Sequence, residues 1–228
     1  MEVEVETLIL QMSEDRTREI ARMTFHEGRI GDREVVVVRS GIGKVNAGMC
    51  VQILKDVFDV THIINTGVAG SLDSRINIGD IVVSKEAMYY DVDATVFGYQ
   101  KGEVPQLGMV TFPADGMLCG AAAAAAAKAA PEIRVFEGLV ISGDQFIADR
   151  EKNQELIREV GGLCTEMEGA AIAHAATLNE IPFVIIRAIS DKADISDGGE
   201  TAVMSYEEFE AKAAAHCAAI TGCMLKTI

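Results

Sequence analysis

The feature that most constrains the fold of this chain is an alternation: apolar runs of strand length are separated by longer stretches with helical spacing. Residues 34–39, 61–65, 80–86, 135–142 and 182–189 are predicted strands. Between the first two, Val45, Met49, Ile53 and Val57 recur at helical spacing and predict a helix over 45–58. A second helix is expected over 115–129, where Pro131 bars its continuation. Others are expected from Arg150, over 166–178, and from Tyr206 to the C-terminus. Strands alternating with helices predict an α/β sheet covered on both faces. No linker, repeat or break in composition interrupts the pattern, so residues 1–228 are expected to form a single domain.

Composition narrows the classes of function. With 49% apolar residues the chain can bury a large core. A formal charge of -15 and a pI near 4.6 would repel a phosphate backbone or an anionic membrane, so neither nucleic acid nor membrane is expected as a partner. A small uncharged or zwitterionic ligand fits better. Cys50, Cys119, Cys164, Cys217 and Cys223 contain no C-x-x-C pair, and His26, His62, His174 and His216 lack metal-ligand spacing. No metal and no cofactor is therefore expected. The alanine-rich stretch over 121–130 is too weakly apolar and too short to span a bilayer. Glu2, Glu4 and Glu6 give the N-terminus the wrong charge for a secretory signal, and a cytoplasmic location is expected.

Open α/β sheets bind ligands outside the carboxyl ends of their strands, so the loops there are the first places to look for chemistry. Two glycine-rich turns are expected, Ser40-Gly41-Ile42-Gly43-Lys44 and Thr66-Gly67-Val68-Ala69-Gly70. The first is not a P-loop, since Val45 follows Lys44, and Asn46 stands where a dinucleotide fingerprint needs its third glycine. Asp191 follows the strand over 182–189 and serves either as a turn cap or as a carboxyl group at the mouth of the sheet. Arg187, inside that apolar strand, needs a carboxylate partner. Glu166 and Glu168 open a helix rich in small residues, so one can pair with Arg187 while the other faces a ligand. Met167 between them fits either the core or a flat ligand. Phe146 and Ile147, beyond Gly143, could stack on a base, and residues 89–99 are dense in aromatics for a chain with 5% of them.

In this order, the motifs SGIGKVNAG, INTGVAG, GDIVVS, DVDATVFGY, GLVISGDQFI, TEMEGAAIAH and RAISDKAD resemble those of the methylthioadenosine/S-adenosylhomocysteine nucleosidases, members of the nucleoside phosphorylase superfamily. The resemblance covers almost the whole chain. It implies a three-layer α/β/α fold around a central mixed β-sheet, and a homodimer. It implies hydrolysis of the N-glycosidic bond of either thioether nucleoside, releasing adenine. Asp191, with Ser190 beside it, would protonate purine N7. Glu168 would hold the ribose 2′-hydroxyl with Met167 against the sugar, and Glu166 would belong to the same group. Phe146 would stack on the purine while the backbone of Ile147 reads its edge. Val68, Ala69, Gly70 and Met1 would lie beside the substrate. Ile42 and Tyr206 would line the 5′-thio pocket, completed by Phe97 and Pro105 of a second subunit. Arg187 and Glu4 would hold the water, with Glu4 as base.

Two departures from the family pattern stand out. The family opens with an apolar, glycine-bearing strand ending in Ala-Met-Glu that has no counterpart before Met1-Glu2-Val3-Glu4. Val68 takes a position where many members carry a serine able to touch the water. Two enzyme alternatives remain: a nucleoside phosphorylase, whose dianionic substrate calls for arginines where Ile42 and Val68 stand, and a hydrolase of a modified futalosine. A non-catalytic binding protein on the same fold is the third.

Overall fold

The computed structural model describes residues 2–147, 149–192, 213 and 215–228, with the backbone alone at 2–4 and 150. Met1, Tyr206 and the side chain of Glu4, all named above, lie outside that description. The elements in order are α1 (Glu2–Ile9), β1 (Ser13–Ile20), β2 (Met23–Ile30), β3 (Arg33–Val38), α2 (Lys44–Phe58), β4 (Ile63–Ser71), β5 (Ile81–Tyr89), a 3-10 turn (Thr95–Phe97), β6 (Phe112–Pro113), α3 (Gly116–Ala129), β7 (Val135–Ser142), α4 (Arg150–Glu159), β8 (Cys164–Glu166), α5 (Gly169–Leu178) and β9 (Phe183–Lys192). A helix over 215–224, here α6, closes the described chain.

The larger sheet has six strands in the order β6-β5-β7-β8-β4-β9, and β5 also pairs with β9, so the sheet partly closes on itself. It is mixed: β4 runs parallel to β9 and β7 parallel to both β5 and β8, while β8 meets β4, and β9 meets β5, antiparallel. Side chains of successive strand residues point to opposite faces, and β9 divides on that period. Phe183, Ile185 and Ile189 enter the core shared with α2 and α5, whereas Val184, Ile186 and Ala188 enter the core shared with α3 and α6. These two cores make the three-layer α/β/α arrangement expected from the sequence. Helix boundaries follow local chemistry: the Asp115 carboxylate accepts the Leu118 amide at the start of α3, and Asp59, in the left-handed region, ends α2.

The fold departs from the sequence-based expectations at four places. No strand was expected before residue 34, yet β1, β2 and β3 form a separate antiparallel sheet. The segment 66–70, expected as a turn, continues β4 as extended chain. Its glycine is required by close approach, because a Cβ on Gly67 would collide with Arg187 Nη1. Asp191 lies inside β9 and not beyond it; the ladder with β4 passes from Ala69–Ile189 to Gly70–Asp191, so Ser190 is an extra, bulged residue. Glu166 ends strand β8, and the helix begins only after Glu168.

Among the described residues no strand pairs with the outer edge of β3, nor with residues 63–69 of β4 on the edge opposite β9. Both edges line one open cleft of about 2050 Å³, which runs from Leu54 and Phe58 to Gly70, Arg187 and Asp191.

Candidate active site

The inner end of the cleft is built from five chain segments: the turn after β3, the second half of β4, the loop after β7, the β8–α5 junction and the end of β9. Arg187 is its fixed point. The period of β9 turns its side chain to the α5 face, where a buried cation is stable only with a partner. Its Nη2 donates to Glu166 Oε2 in a close contact and to Asn65 Oδ1 at 2.6 Å, and it lies 4.0 Å from Glu168 Oε2. The second oxygen of Glu166 accepts the Ser142 hydroxyl, and the amides of Glu168 and Gly169 donate to the same carboxylate at 2.8–3.0 Å. Glu166 is thus an anion at a helix N-terminus whose acceptor positions are all taken by the protein. The carboxylate partner that the sequence calls for beside Arg187 is Glu166.

Glu168 stands at the start of α5, and its Oε1 accepts the Gly43 amide at 2.9 Å. That bond ties the turn after β3 to the helix. Burial raises its carboxyl above the ordinary range, as does the neighbouring Glu166 anion, while Arg187 and the backbone donors act the other way. In the lining of the same cleft, Asp191 is 2% exposed and accepts a hydrogen bond from Ser190 Oγ at 2.7 Å. Loss of water raises its carboxyl too, opposed by the serine. The cleft therefore offers two carboxyl groups raised by burial, Asp191 held by a serine hydroxyl and Glu168 held by a backbone amide with Arg187 nearby.

The remaining residues named from sequence divide clearly. Ile42, Val68, Ala69, Gly70, Phe146, Ile147 and Met167 all line the same cleft. Phe146 is 53% exposed on the rim, whereas Ile147 is buried beneath it. Phe97 and Pro105 do not line it; both are exposed, on the 3-10 turn and on the loop that follows. Sequence reading missed Asn65, Ser142 and Gly43. Asn65 carried a signal, as a polar residue in an apolar strand. Ser142 and Gly43 act through one hydroxyl and one amide, and nothing local marks either.

A mixed, partly closed sheet covered by helices on both faces, with its cleft at the strand ends, defines the class of this protein: the family profile of the phosphorylase superfamily matches residues 1–226. Similar proteins narrow the class. The 5'-methylthioadenosine/S-adenosylhomocysteine nucleosidase of Treponema pallidum is 42% identical over 224 residues, covering 89% of this chain and 82% of the relative. The protein of that name from Maridesulfovibrio salexigens is 41% identical over 229 residues, covering 100% of this chain and 96% of the relative. The Neisseria meningitidis nucleosidase of the same name, solved in complex with methylthio-immucillin-A, superposes with a TM-score of 0.93 at 38% identity, covering 100% of this chain and 96% of that one. The chain belongs to the family of 5'-methylthioadenosine/S-adenosylhomocysteine nucleosidases, which are N-glycosidic hydrolases.

Proposed function

We propose that this enzyme hydrolyses the N-glycosidic bond of 5'-methylthioadenosine and S-adenosylhomocysteine, releasing adenine and the thioribose product. The observation that carries the reading is that one cleft is lined by both the buried Asp191–Ser190 pair and the Glu168–Glu166–Arg187 group. Breaking a glycosidic bond leaves positive charge on the sugar carbon and negative charge on the departing base. The site must therefore protonate the base, place an anion near the cation and hold a water.

In this reading Asp191 is the acid that protonates purine N7, which its raised carboxyl favours near neutral pH. Glu168 accepts from the ribose 2′-hydroxyl and supplies the nearby anion, with Met167 against the sugar. Phe146 on the rim stacks on the purine, and the Ile147 backbone contacts its edge. Arg187 holds the water and Glu4 takes its proton. Glu166 belongs to the site as the positioning residue of Arg187, since its own acceptors are spent inside the protein. Val68, Ala69 and Gly70 form the wall beside the water without a side-chain hydroxyl. Ile42 and Tyr206 face the 5′-thio group, and a second copy of the chain contributes exposed Phe97 and Pro105, making the enzyme a homodimer.

Attack by phosphate is disfavoured by charge, because Glu166 already pairs with Arg187 and Glu168 Oε2 stands 4.0 Å from the same guanidinium. The test is adenine release from each thioether nucleoside with and without phosphate. Release in phosphate-free buffer with free thioribose supports hydrolysis. A strict need for phosphate, or no release from either substrate, overturns it.

A further inference from the structure

Behind the wall that carries Glu168 and Phe146 lies a second charged group that the mechanism does not use. Lys44 is the first residue of α2, where a cation opposes the helix dipole and no acidic residue of the first turn compensates. Its compensation comes from other elements. Nζ lies 2.6 Å from Asp91 Oδ2, beyond the end of β5, and 3.6 Å from Asp144 Oδ2 in the loop after β7. It also sits 5.6 Å from the Tyr89 ring centroid. The backbone closes the group: the Lys44 amide donates to Asp144 Oδ1 at 2.9 Å, and the Asp144 amide donates to Asp91 Oδ2 at 3.0 Å. Gly43 permits this approach, since it sits at φ 92 and a Cβ there would meet Asp144 Oδ1 at 3.1 Å.

The Gly43–Lys44 step thus grips two loops with successive amides, Glu168 with the first and Asp144 with the second. Phe146 is two residues beyond Asp144. We propose that Lys44 is a positioning residue: by neutralising Asp91 and Asp144 it holds the loop after β7 against the start of α2, and so fixes the distance between Phe146 and Glu168. This rests on the functional reading above, which places the base on the first and the ribose on the second. Without the cation, two carboxylates sharing one backbone ring repel, and the loop after β7 moves away. Asp191 and Arg187 stand on β9, outside the ring, so the chemical step is affected less than binding.

The experiment measures adenine affinity by calorimetry and steady-state kinetics with 5'-methylthioadenosine for Lys44→Met, Lys44→Arg and the double variant Lys44→Met/Asp91→Asn. Lys44→Met is expected to raise both the adenine Kd and the nucleoside KM by ~10-fold or more, with kcat within ~3-fold, the pattern of a lost contribution to binding that is shared by ground and transition states. Lys44→Arg restores most of the affinity, and Asp91→Asn in the Lys44→Met background recovers part of it by removing the repulsion. Unchanged Kd and KM in Lys44→Met, a loss confined to kcat, or no recovery in the double variant each overturn the proposal. The wild-type protein separates the two readings: if it fails to bind adenine, the functional reading falls and this proposal with it, whereas wild-type binding with an unaffected Lys44→Met removes this proposal alone.

Discussion

At Asp191, the proposed acid, burial links the proposed activity to stability. Its carboxyl is raised above the ordinary value of 3.8, so the native state keeps a proton that the unfolded chain has already lost. Stability contributed by this group is full below pH 3.8 and is lost as pH rises through the raised native value. Asp191→Asn removes that loss, so its Tm should exceed that of the wild type at pH 8, with the gap closing toward pH 4. The same variant should lose ~100-fold or more in kcat while substrate analogues still bind, as when a positioned acid is removed. By the same sign, wild-type kcat/KM should fall as pH rises through the native value of Asp191, because the protonated form is the donor; a profile still rising there would show that another group delivers the proton. Glu166 behaves differently. Glu166→Gln leaves Arg187 buried with a weakened partner, and breaking such a pair costs about 3–5 kcal/mol, to be read as a lower denaturant midpoint at unchanged slope.

Elements were legible where burial on one or both faces leaves an apolar pattern, and were missed where it does not. Strands β3, β4, β5, β7 and β9 and helices α2 to α5 follow from such patterns, with ends displaced by a few residues. β1, SEDRTREI, is almost entirely exposed and has no apolar alternation. Its hairpin turns through Ala21 and Arg22, both at positive φ, where Asn-Gly would have been a recognisable signal. Of the site, Arg187, Asp191 and the glutamates were legible as charges out of place in apolar segments. The Lys44 ring was not, because it joins residues 47 and 100 positions apart. The extended course of β4 through Gly67 is legible only with Arg187 in view, and it gives a test: Gly67→Ala forces the guanidinium aside, should cost about 1–3 kcal/mol as overpacking does, and should lower activity with it. A variant with wild-type stability and turnover would mean that Arg187 has room the structure does not give it.

On the scale of the whole molecule, the break between the two sheets decides how the fold opens. Met23 and Phe25 of the small sheet pack into the core of α2 and α5, yet among the described residues no backbone ladder joins the sheets. Amide hydrogen exchange should therefore resolve two cooperative units, with β1 to β3 opening at a lower free energy than β4, β5 and β9. Uniform protection would mean that the chain opens as one unit. The turn after β3 touches the larger unit through the Gly43–Glu168 bond, at the place where the ribose is proposed to sit. A ligand there spans both units, so its binding should slow exchange in β3 far more than in β9, coupling by occupancy two parts that the backbone leaves separate.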